Sequence, residues 1–419
     1  MTDIATPTTA AASAPSRSGV IFIFITLMLD VLAMGIIIPV FPKLIEGFVD
    51  GTHADVVRWG SIAGIAWALM QFVFTPIQGA LSDRFGRRPV LLISMTGLGL
   101  DYILMALAPS LSWIIIGRVL SGITAASFST ANAYITDITP PEKRAAAFGM
   151  MGAAFGIGFV LGPLLGGLAG SVDPRLPFWI AAALSLLNAL YGFFILPESL
   201  PPEKRSKSFS LVNANPLGAL AMLASHRELF GLATAQFLYM LAHNVYPAIF
   251  AWFVTYRYGW DALMISYALA LVGVMSIIVQ GGLTGIVVKK LGERRAMIFG
   301  LICGIFGFLT YALGPTGLWV WIAIPISALW AFYSPAAQSL MTRHVSQSEQ
   351  GRLQGALASM NGISFIIAPI LYPMTFAAAL DASDTVGAWP ILGAPFFIAA
   401  LLLVFALVLA ERATRDHSK

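Results

Sequence analysis

Twelve long apolar runs decide what this chain can fold into. They fall at 19–47, 56–81, 87–108, 111–137, 144–170, 176–196, 228–256, 262–288, 295–313, 317–341, 352–378 and 387–410, separated by short charged or proline-containing breaks. A helix crosses the hydrocarbon core of a bilayer with about 20 residues, and each run reaches that length within a few residues. None alternates apolar and polar residues with period two, which excludes transmembrane β-strands. Glycine and proline inside the runs do not argue against helices in lipid, where both are tolerated. The chain is 58% hydrophobic and 11% charged, whereas a soluble domain carries about 25% charged residues. The expected fold is an all-α membrane protein of twelve transmembrane helices.

Charge gives that array a direction. If the breaks alternate sides, Lys43, Arg58, Arg175 and Arg257 lie on one side and Arg118 falls inside a span, leaving 19 of the 24 Lys and Arg on the other. Such a bias places the basic side, and with it both termini, in the cytoplasm. The net charge of +4 is explained by this distribution and implies no nucleic-acid partner. The head, residues 1–18, is rich in Ala, Ser, Thr and Pro and reads as disordered. It lacks the layout of a cleavable signal. The single Cys303 excludes an internal disulfide, and five scattered His offer no metal-ligand cluster, so neither metal nor cofactor is expected.

The longest polar break, 197–227, divides the chain into halves at 19–196 and 228–410, followed by a tail at 411–419. The second part of that break has the pattern of a short helix at the membrane surface. The halves repeat at an offset of 206 residues: Gly79 matches Gly285, Gly86 matches Gly292, Asn132 matches Gln338, Gly149 matches Gly355 and Pro163 matches Pro369. Two pseudo-symmetric six-helix halves place a substrate site near the midplane between them.

Three features carry chemistry. The first is GALSDRFGRRP (79–89) on the basic side. Gly79 would let helix backbones approach, Gly86 would supply a tight turn, and Asp83 would face a helix N-terminus or a cation. Asp137, at the end of span 4, is expected to pair with Arg87 or Arg88. Asp83 is expected against the N-terminus of span 11, near residue 352, when the cytoplasmic side is closed. The second is the span-5 series Gly149, Gly158, Gly162, Pro163, Gly166 and Gly167, a smooth helix face with a bend. At the span-11 positions matching Gly158, Gly162 and Pro163 stand Ser364, Ala368 and Pro369, so the proline is kept and those glycines are lost. The third is charge inside the membrane: Asp30, Asp101 and Arg118, all in the first half. Each costs about 2.5–3.5 kcal/mol at mid-helix, so each should line a cavity or be paired. A static ion pair and a proton-exchanging carboxylate are both open readings.

Polar and aromatic groups within spans supply candidates for substrate contact: Gln71, Asn132, Tyr239, His243, Asn244, Gln280, Trp330, Tyr333, Gln338 and Asn361, with Gln236 and Trp252 beside them. Any one of these serves equally as an interhelical hydrogen-bond partner. No phosphate-binding loop and no nucleophile–base constellation is present, so neither ATP drive nor enzymatic chemistry is expected.

GALSDRFGRRPVLL and GIGFVLGPLLGG resemble the inner-loop and antiporter motifs of twelve-helix drug:proton antiporters of the major facilitator superfamily. LDVLAMGIIIPVFPKLI (29–45), LMQFVFTPIQGALSDRFGRRPVLL (69–92), GLDYILMALAPSLSWIIIGRVLSGIT (99–124), ANAYITDIT (131–139) and GRLQGALASM (351–360) make the chain most similar to the tetracycline-resistance efflux pumps. The resemblance implies proton-coupled export of small amphipathic drug-like molecules or metabolites across a bacterial inner membrane, by a monomer. It implies proton coupling for Asp30, Asp101 and Arg118 and a gating role for Asp83 and Arg87. Two positions depart from those pumps: Gly304 stands where they carry a span-9 acid, and Ser276 where some carry a His. That departure bears on tetracycline, which such pumps export as a metal chelate. It leaves open import or facilitated passage of a sugar or organic acid, or a non-transporting sensor.

Overall fold

The computed structural model describes residues 17–125, 127–140, 143–206, 227–343, 345–346, 350–386 and 391–415. Most of the expected disordered head and the expected surface helix after residue 206 lie outside the described residues. Among the described residues there is no strand. Eleven helices among the described residues are long and apolar enough to cross a membrane, and the apolar helix Ile21–Ile37 is shorter. In chain order the spans are α1 (Arg17–Ile37), α2 (His53–Phe85), α3 (Arg87–Leu107), α4 (Leu111–Ile138), α5 (Arg144–Val172), α6 (Leu176–Ile195), α7 (Leu229–Tyr258), α8 (Ala262–Leu291), α9 (Glu293–Leu313), α10 (Leu318–Arg343), α11 (Gln350–Val386) and α12 (Ala394–Arg415). The chain is a multi-pass membrane protein.

Several runs that read as one helix are not. The run 19–47 stops at Ile37, turns, and resumes as the short helix Phe41–Glu46. Pro39 and Pro42 cannot donate backbone hydrogen bonds, which removes the bonds a continuous helix would need there. The span α7 pauses at Asn244. The span α8 contains a π-helical stretch, Ile277–Leu283, with two adjacent glycines, and α10 tightens to a 3-10 turn at Leu329–Phe332. Such local changes of helix type expose or re-aim side chains at mid-span.

The 206-residue repeat has structural counterparts. Gly86 and Gly292 both turn the chain with positive φ, 108° and 78°. At the ends of α3 and α9, carbonyls at equivalent positions each receive an arginine. Arg175 donates to the Ala106 and Ala108 oxygens at 3.3 and 3.0 Å, and Arg257 to those of Ala312 and Gly314, both at 3.0 Å. A cation at a helix C-terminus satisfies carbonyls that have no intrahelical partner.

Two ladders join the halves. Along α2 and α11, Arg58 pairs with Asp381, the Ser61 hydroxyl donates to the Pro369 oxygen, Trp67 meets Phe365 edge-on at 6.3 Å, and Gly362 packs on Phe72. Along α5 and α8, Gly167 packs on Ser266, the Ser266 hydroxyl donates to the Pro163 oxygen at 2.5 Å, and Gly273 packs on Val160. The last rung is Gly156 with Ile277, where an added Cβ would come within 3.7 Å. The repeat-related prolines Pro163 and Pro369 thus each accept a serine hydroxyl from the other half. Beyond these rungs, toward the basic face, Cβ atoms built on Gly79, Gly149, Gly152, Gly281, Gly282 and Gly285 meet nothing within 4 Å. The halves are closed on the face holding Arg58 and Asp381 and part toward the face holding the 79–89 loop.

Candidate transport site and gates

The intramembrane charges separate into two arrangements within the first half. Arg118 on α4 donates through Nη2 to Asp101 Oδ2 on α3 at 3.1 Å and lies 2.9 Å from the Met105 sulfur. Its guanidinium also sits over the Phe41 ring, 5.8 Å from the centroid, within the ~6 Å range of cation–π attraction. The Asp101 side chain is fully shielded and that of Arg118 is 15% exposed. Asp30 on α1 accepts from Asn188 Nδ2 of α6 at 3.3 Å. The same Asn188 nitrogen donates to the Thr26 oxygen at 3.2 Å, and Thr26 Oγ1 lies 3.3 Å from Asn188 Oδ1. The link between the two arrangements is Tyr102, chain neighbour of Asp101, which is buried within electrostatic range of Asp30, Asp101 and Arg118. In this conformation both carboxylates are buried in first-half packing rather than lining the open space between the halves.

The basic-face loop is a charge network. Arg87 donates to Asp83 Oδ1 at 2.5 Å, to Asp137 Oδ2 at 3.1 Å and to Ser82 Oγ at 2.7 Å. The expected pairing of Asp137 thus falls on Arg87; Arg88 instead donates to the Phe193 oxygen at 2.6 Å. Asp83 faces Arg87 and not the start of α11, because the halves are apart on this side. The same separation corrects the reading of Gly79, which faces open space rather than a neighbouring backbone. Gly86 is the required turn: its φ of 108° and the Glu198 carboxylate packed on its face leave no place for a Cβ.

The span-5 glycines divide by direction. A Cβ at Gly158 would come within 2.7 Å of the Met28 oxygen, one at Gly162 within 2.6 Å of the Leu32 oxygen, and one at Gly166 against the Ile36 backbone. These three let α1 lie directly on α5. Gly167 and the Pro163 oxygen face α8 of the other half, while the Pro163 ring lies against Gly35 of α1. Gly149 faces open space and packs on nothing.

In the second half, the substrate candidates form an aromatic wall. Tyr239 stacks on Tyr333 with centroids 4.2 Å apart, and His243 stacks on Trp330 at 4.8 Å. Phe308 and Tyr246 meet Trp330 edge-on at 5.3 and 5.9 Å. This wall occupies the position of the missing acid. A Cβ at Gly304 would meet Leu403 at 2.7 Å and Trp330 at 3.1 Å, so no carboxylate fits there. Tyr239, Trp330 and Tyr333 are buried, while His243 is exposed. Asn244 is buried and donates to Ser364 Oγ at 2.9 Å, so this candidate serves as an interhelical bond. Asn132, Gln280, Gln338 and Asn361 are exposed and Gln71 is half-buried; they do not gather into one cluster with the aromatic wall.

Sequence reasoning missed Glu198. It accepts from the backbone N–H of Arg87 at 2.8 Å and of Arg88 at 3.3 Å, and lies 3.8 Å from Arg205. An acid at a helix N-terminus satisfies free N–H groups and the helix dipole; its isolated position after span 6 was the available signal. Asn188, a lone amide inside an apolar run, and the cross-half pair Arg58–Asp381 were missed as well. The pair joins positions 323 residues apart, which local pattern cannot reveal.

The Major Facilitator Superfamily model matches residues 23–369 of this chain. The chain is 37% identical over 391 residues to "Tetracycline resistance protein, class C" of Escherichia coli, covering 92% of this chain and 96% of that protein. It is 34% identical over 389 residues to the class E protein of Escherichia coli, covering 92% and 94%. Among solved structures, that of a D-xylose-proton symporter shares the fold with a TM-score of 0.76 at 17% identity, covering 95% of this chain and 97% of the other. The chain is a transporter rather than an enzyme, and it belongs to the Major Facilitator Superfamily, on the branch of twelve-helix drug:proton antiporters most like the tetracycline-resistance efflux proteins.

Proposed function

We propose that this transporter exports small amphipathic drug-like molecules or metabolites from the cytoplasm of a bacterium in exchange for protons, acting as a monomer in the inner membrane. The carrying observation is the Asp101–Arg118 pair, buried between α3 and α4. A carboxylate at that depth is costly unless paired. When the pair separates, Asp101 is left to take up a proton; when it re-forms, the proton is released. One proton moving down 100 mV supplies about 2.3 kcal/mol, enough for a gradient of roughly 50-fold without ATP. The basic face, with both termini, is read as cytoplasmic, so the conformation described is open to the side from which a drug would be collected. Arg87, Arg88, Asp83, Asp137, Gly79 and Gly86 then belong to the cytoplasmic gate, and Asp30 assists coupling from α1.

The substrate reading favours a molecule without bound metal. The space where similar pumps carry a span-9 acid holds Trp330 and Leu403, and the wall around it is aromatic and uncharged. A chelated cation would find no counter-charge there. The test is proton movement on substrate addition in proteoliposomes carrying an internal pH dye, across flat aromatic drugs, tetracycline with and without magnesium, sugars and organic acids. Proton movement triggered by aromatic drugs supports the proposal. Passage of sugars or acids with no proton movement would replace it with a facilitator.

A further inference from the structure

We infer that the outer groove between α3 and α6 holds an acyl chain of an anionic phospholipid whose phosphate is bound by Arg88. The groove lies on helices that take no part in the two ladders joining the halves, and it stands whatever molecule is transported. Leu92 and Thr96 of α3 line it, with Leu186, Ala189, Leu190 and Phe193 of α6. On α3 the lining follows Arg88 at intervals of four residues, and on α6 it keeps the three-and-four spacing of one helix face. Two facing stripes make a trough along the helices rather than a round pocket. It encloses about 260 Å³, short of the ~300–1,000 Å³ of drug-sized sites. A Cβ built on Gly192 would come within 3.0 Å of Leu92, so the floor is closed; one on Gly99 would meet Leu186 at 2.7 Å, so the trough ends where the helices touch. Its outer side is open, with Thr96, Leu190 and Phe193 exposed. From Arg88 to Thr96 the helix rises roughly 12 Å, most of the ~15 Å depth of one leaflet. That length, direction and open side suit a lipid chain.

The mouth of the trough carries the charge. Arg88 donates through Nη2 to the Phe193 oxygen at 2.6 Å, and its guanidinium lies 5.7 Å from the Phe193 ring centroid. Phe193 lines the trough, so the guanidinium is held at its opening. The neighbouring acids are engaged elsewhere: Asp83 and Asp137 pair with Arg87, and Glu198 pairs with Arg205 and reaches Arg88 through its backbone N–H, at 3.3 Å. The Arg88 Nε is buried and has no hydrogen-bond partner among the described residues. The internal repeat marks this as particular to the first half. Arg294, 206 residues on, donates its Nε to Thr414 Oγ1 of α12 at 3.1 Å. A guanidinium recognises phosphate through its fork of N–H donors, and basic grooves between helices at the membrane surface select anionic headgroups. A zwitterionic headgroup would bring an ammonium to the same guanidinium, so the lipid selected is the anionic one.

The test uses the full-length chain in a neutral detergent, titrated with phosphatidylglycerol or with phosphatidylcholine of identical chains, the first lipid retained being read by native mass spectrometry. The wild type is expected to hold phosphatidylglycerol about fivefold more tightly than phosphatidylcholine. Arg88→Gln should remove that preference. Thr96→Phe, which fills the trough with an apolar ring, should weaken the binding of both lipids. Arg84→Gln, at an exposed arginine of the same loop that lies over Phe85, should change neither. Glycerol phosphate, a headgroup without chains, should not compete. Thermal midpoints in the same detergent report that each variant folds, and Thr96→Phe, at an exposed position, decides the matter if Arg88→Gln does not fold. No preference in the wild type, or full affinity in Thr96→Phe, would overturn the inference. So would an equal loss in Arg84→Gln, which would mean a diffuse basic surface, or competition by glycerol phosphate, which would mean an anion site that holds no chain. None of these readouts involves transport, so failure of the exporter reading leaves the lipid site standing.

Discussion

At the scale of residues, the buried acids divide the labour that their positions alone left undivided. Asp101 has a cationic partner on the next helix, and Asp30 has an amide. Asp101→Asn keeps shape and removes titration, and should abolish substrate-driven proton movement while the protein still elutes as a monodisperse species; persistence of that movement would make Asp101 structural. Gly86 shows the opposite dependence, on backbone geometry alone. A side chain in this glycine-only backbone region costs about 1–3 kcal/mol, and here it also meets Glu198, whose removal frees two N–H groups of α3. Gly86→Ala should therefore lower the thermal midpoint in detergent by several degrees, whereas Gly79→Ala, facing open space, should leave it unchanged.

At the scale of elements, the α5 series is three devices sharing one sequence pattern. Gly158, Gly162, Gly166 and the Pro163 ring form a track for α1, the Pro163 oxygen and Gly167 meet α8, and Gly149 meets neither. In hydrocarbon the helices gain little from burying apolar surface, so close backbone approach and interhelical bonds carry the association. The second half joins α7 to α11 differently, through Asn244 with Ser364 and through the Tyr372 hydroxyl, which donates to the Leu241 oxygen at 2.8 Å. Side-chain bonds there stand in place of the Gly158, Gly162 and Gly166 track of the first half. Gly162→Val should force α1 from α5 and abolish accumulation of folded protein, while Gly149→Ala should express and transport like the wild type. If both variants behave alike, in membrane yield and transport assays, the directional division is wrong.

At the scale of the whole molecule, function depends on which face holds the halves together. In this conformation the α2–α11 and α5–α8 ladders close the face bearing Arg58 and Asp381, and the 79–89 loop is apart from the second half. Asp83 is bound to Arg87 here; its expected contact with the N-terminus of α11 belongs to the opposite conformation. Both gates are partly exposed, so each pair contributes about 0.2–1 kcal/mol. That is enough to shift a balanced two-state equilibrium by up to roughly fivefold. Arg58→Gln or Asp381→Asn should raise labelling of Gly64→Cys, placed in a Cys303→Ser background, from the Arg58 face. Asp83→Asn should raise labelling from the basic face and lower export. Unchanged labelling in these variants would show that neither pair biases the exchange.

The apolar runs by themselves determined the helical class and the number of spans, because a backbone in hydrocarbon must satisfy its hydrogen bonds internally and a run of about 20 residues leaves it only one way to do so. The 206-residue offset carried the pseudo-symmetry, down to the positive-φ turns at Gly86 and Gly292. The loop motif carried the pairing of Asp137 with arginine, since both lie at helix ends on one side, although it did not distinguish Arg87 from Arg88. Tertiary structure alone decided the rest. It decided that Arg118 bonds Asp101, and that Trp330 fills the space beside Gly304. It decided too that Glu198 caps α3 from 111 residues away and that Arg58 reaches Asp381. Helix periodicity records which residues share a face, but the rotation and tilt of one helix against another arise from packing summed over many contacts distant in sequence. Those contacts, not the pattern along any one span, set which charges meet and which face of the transporter is open.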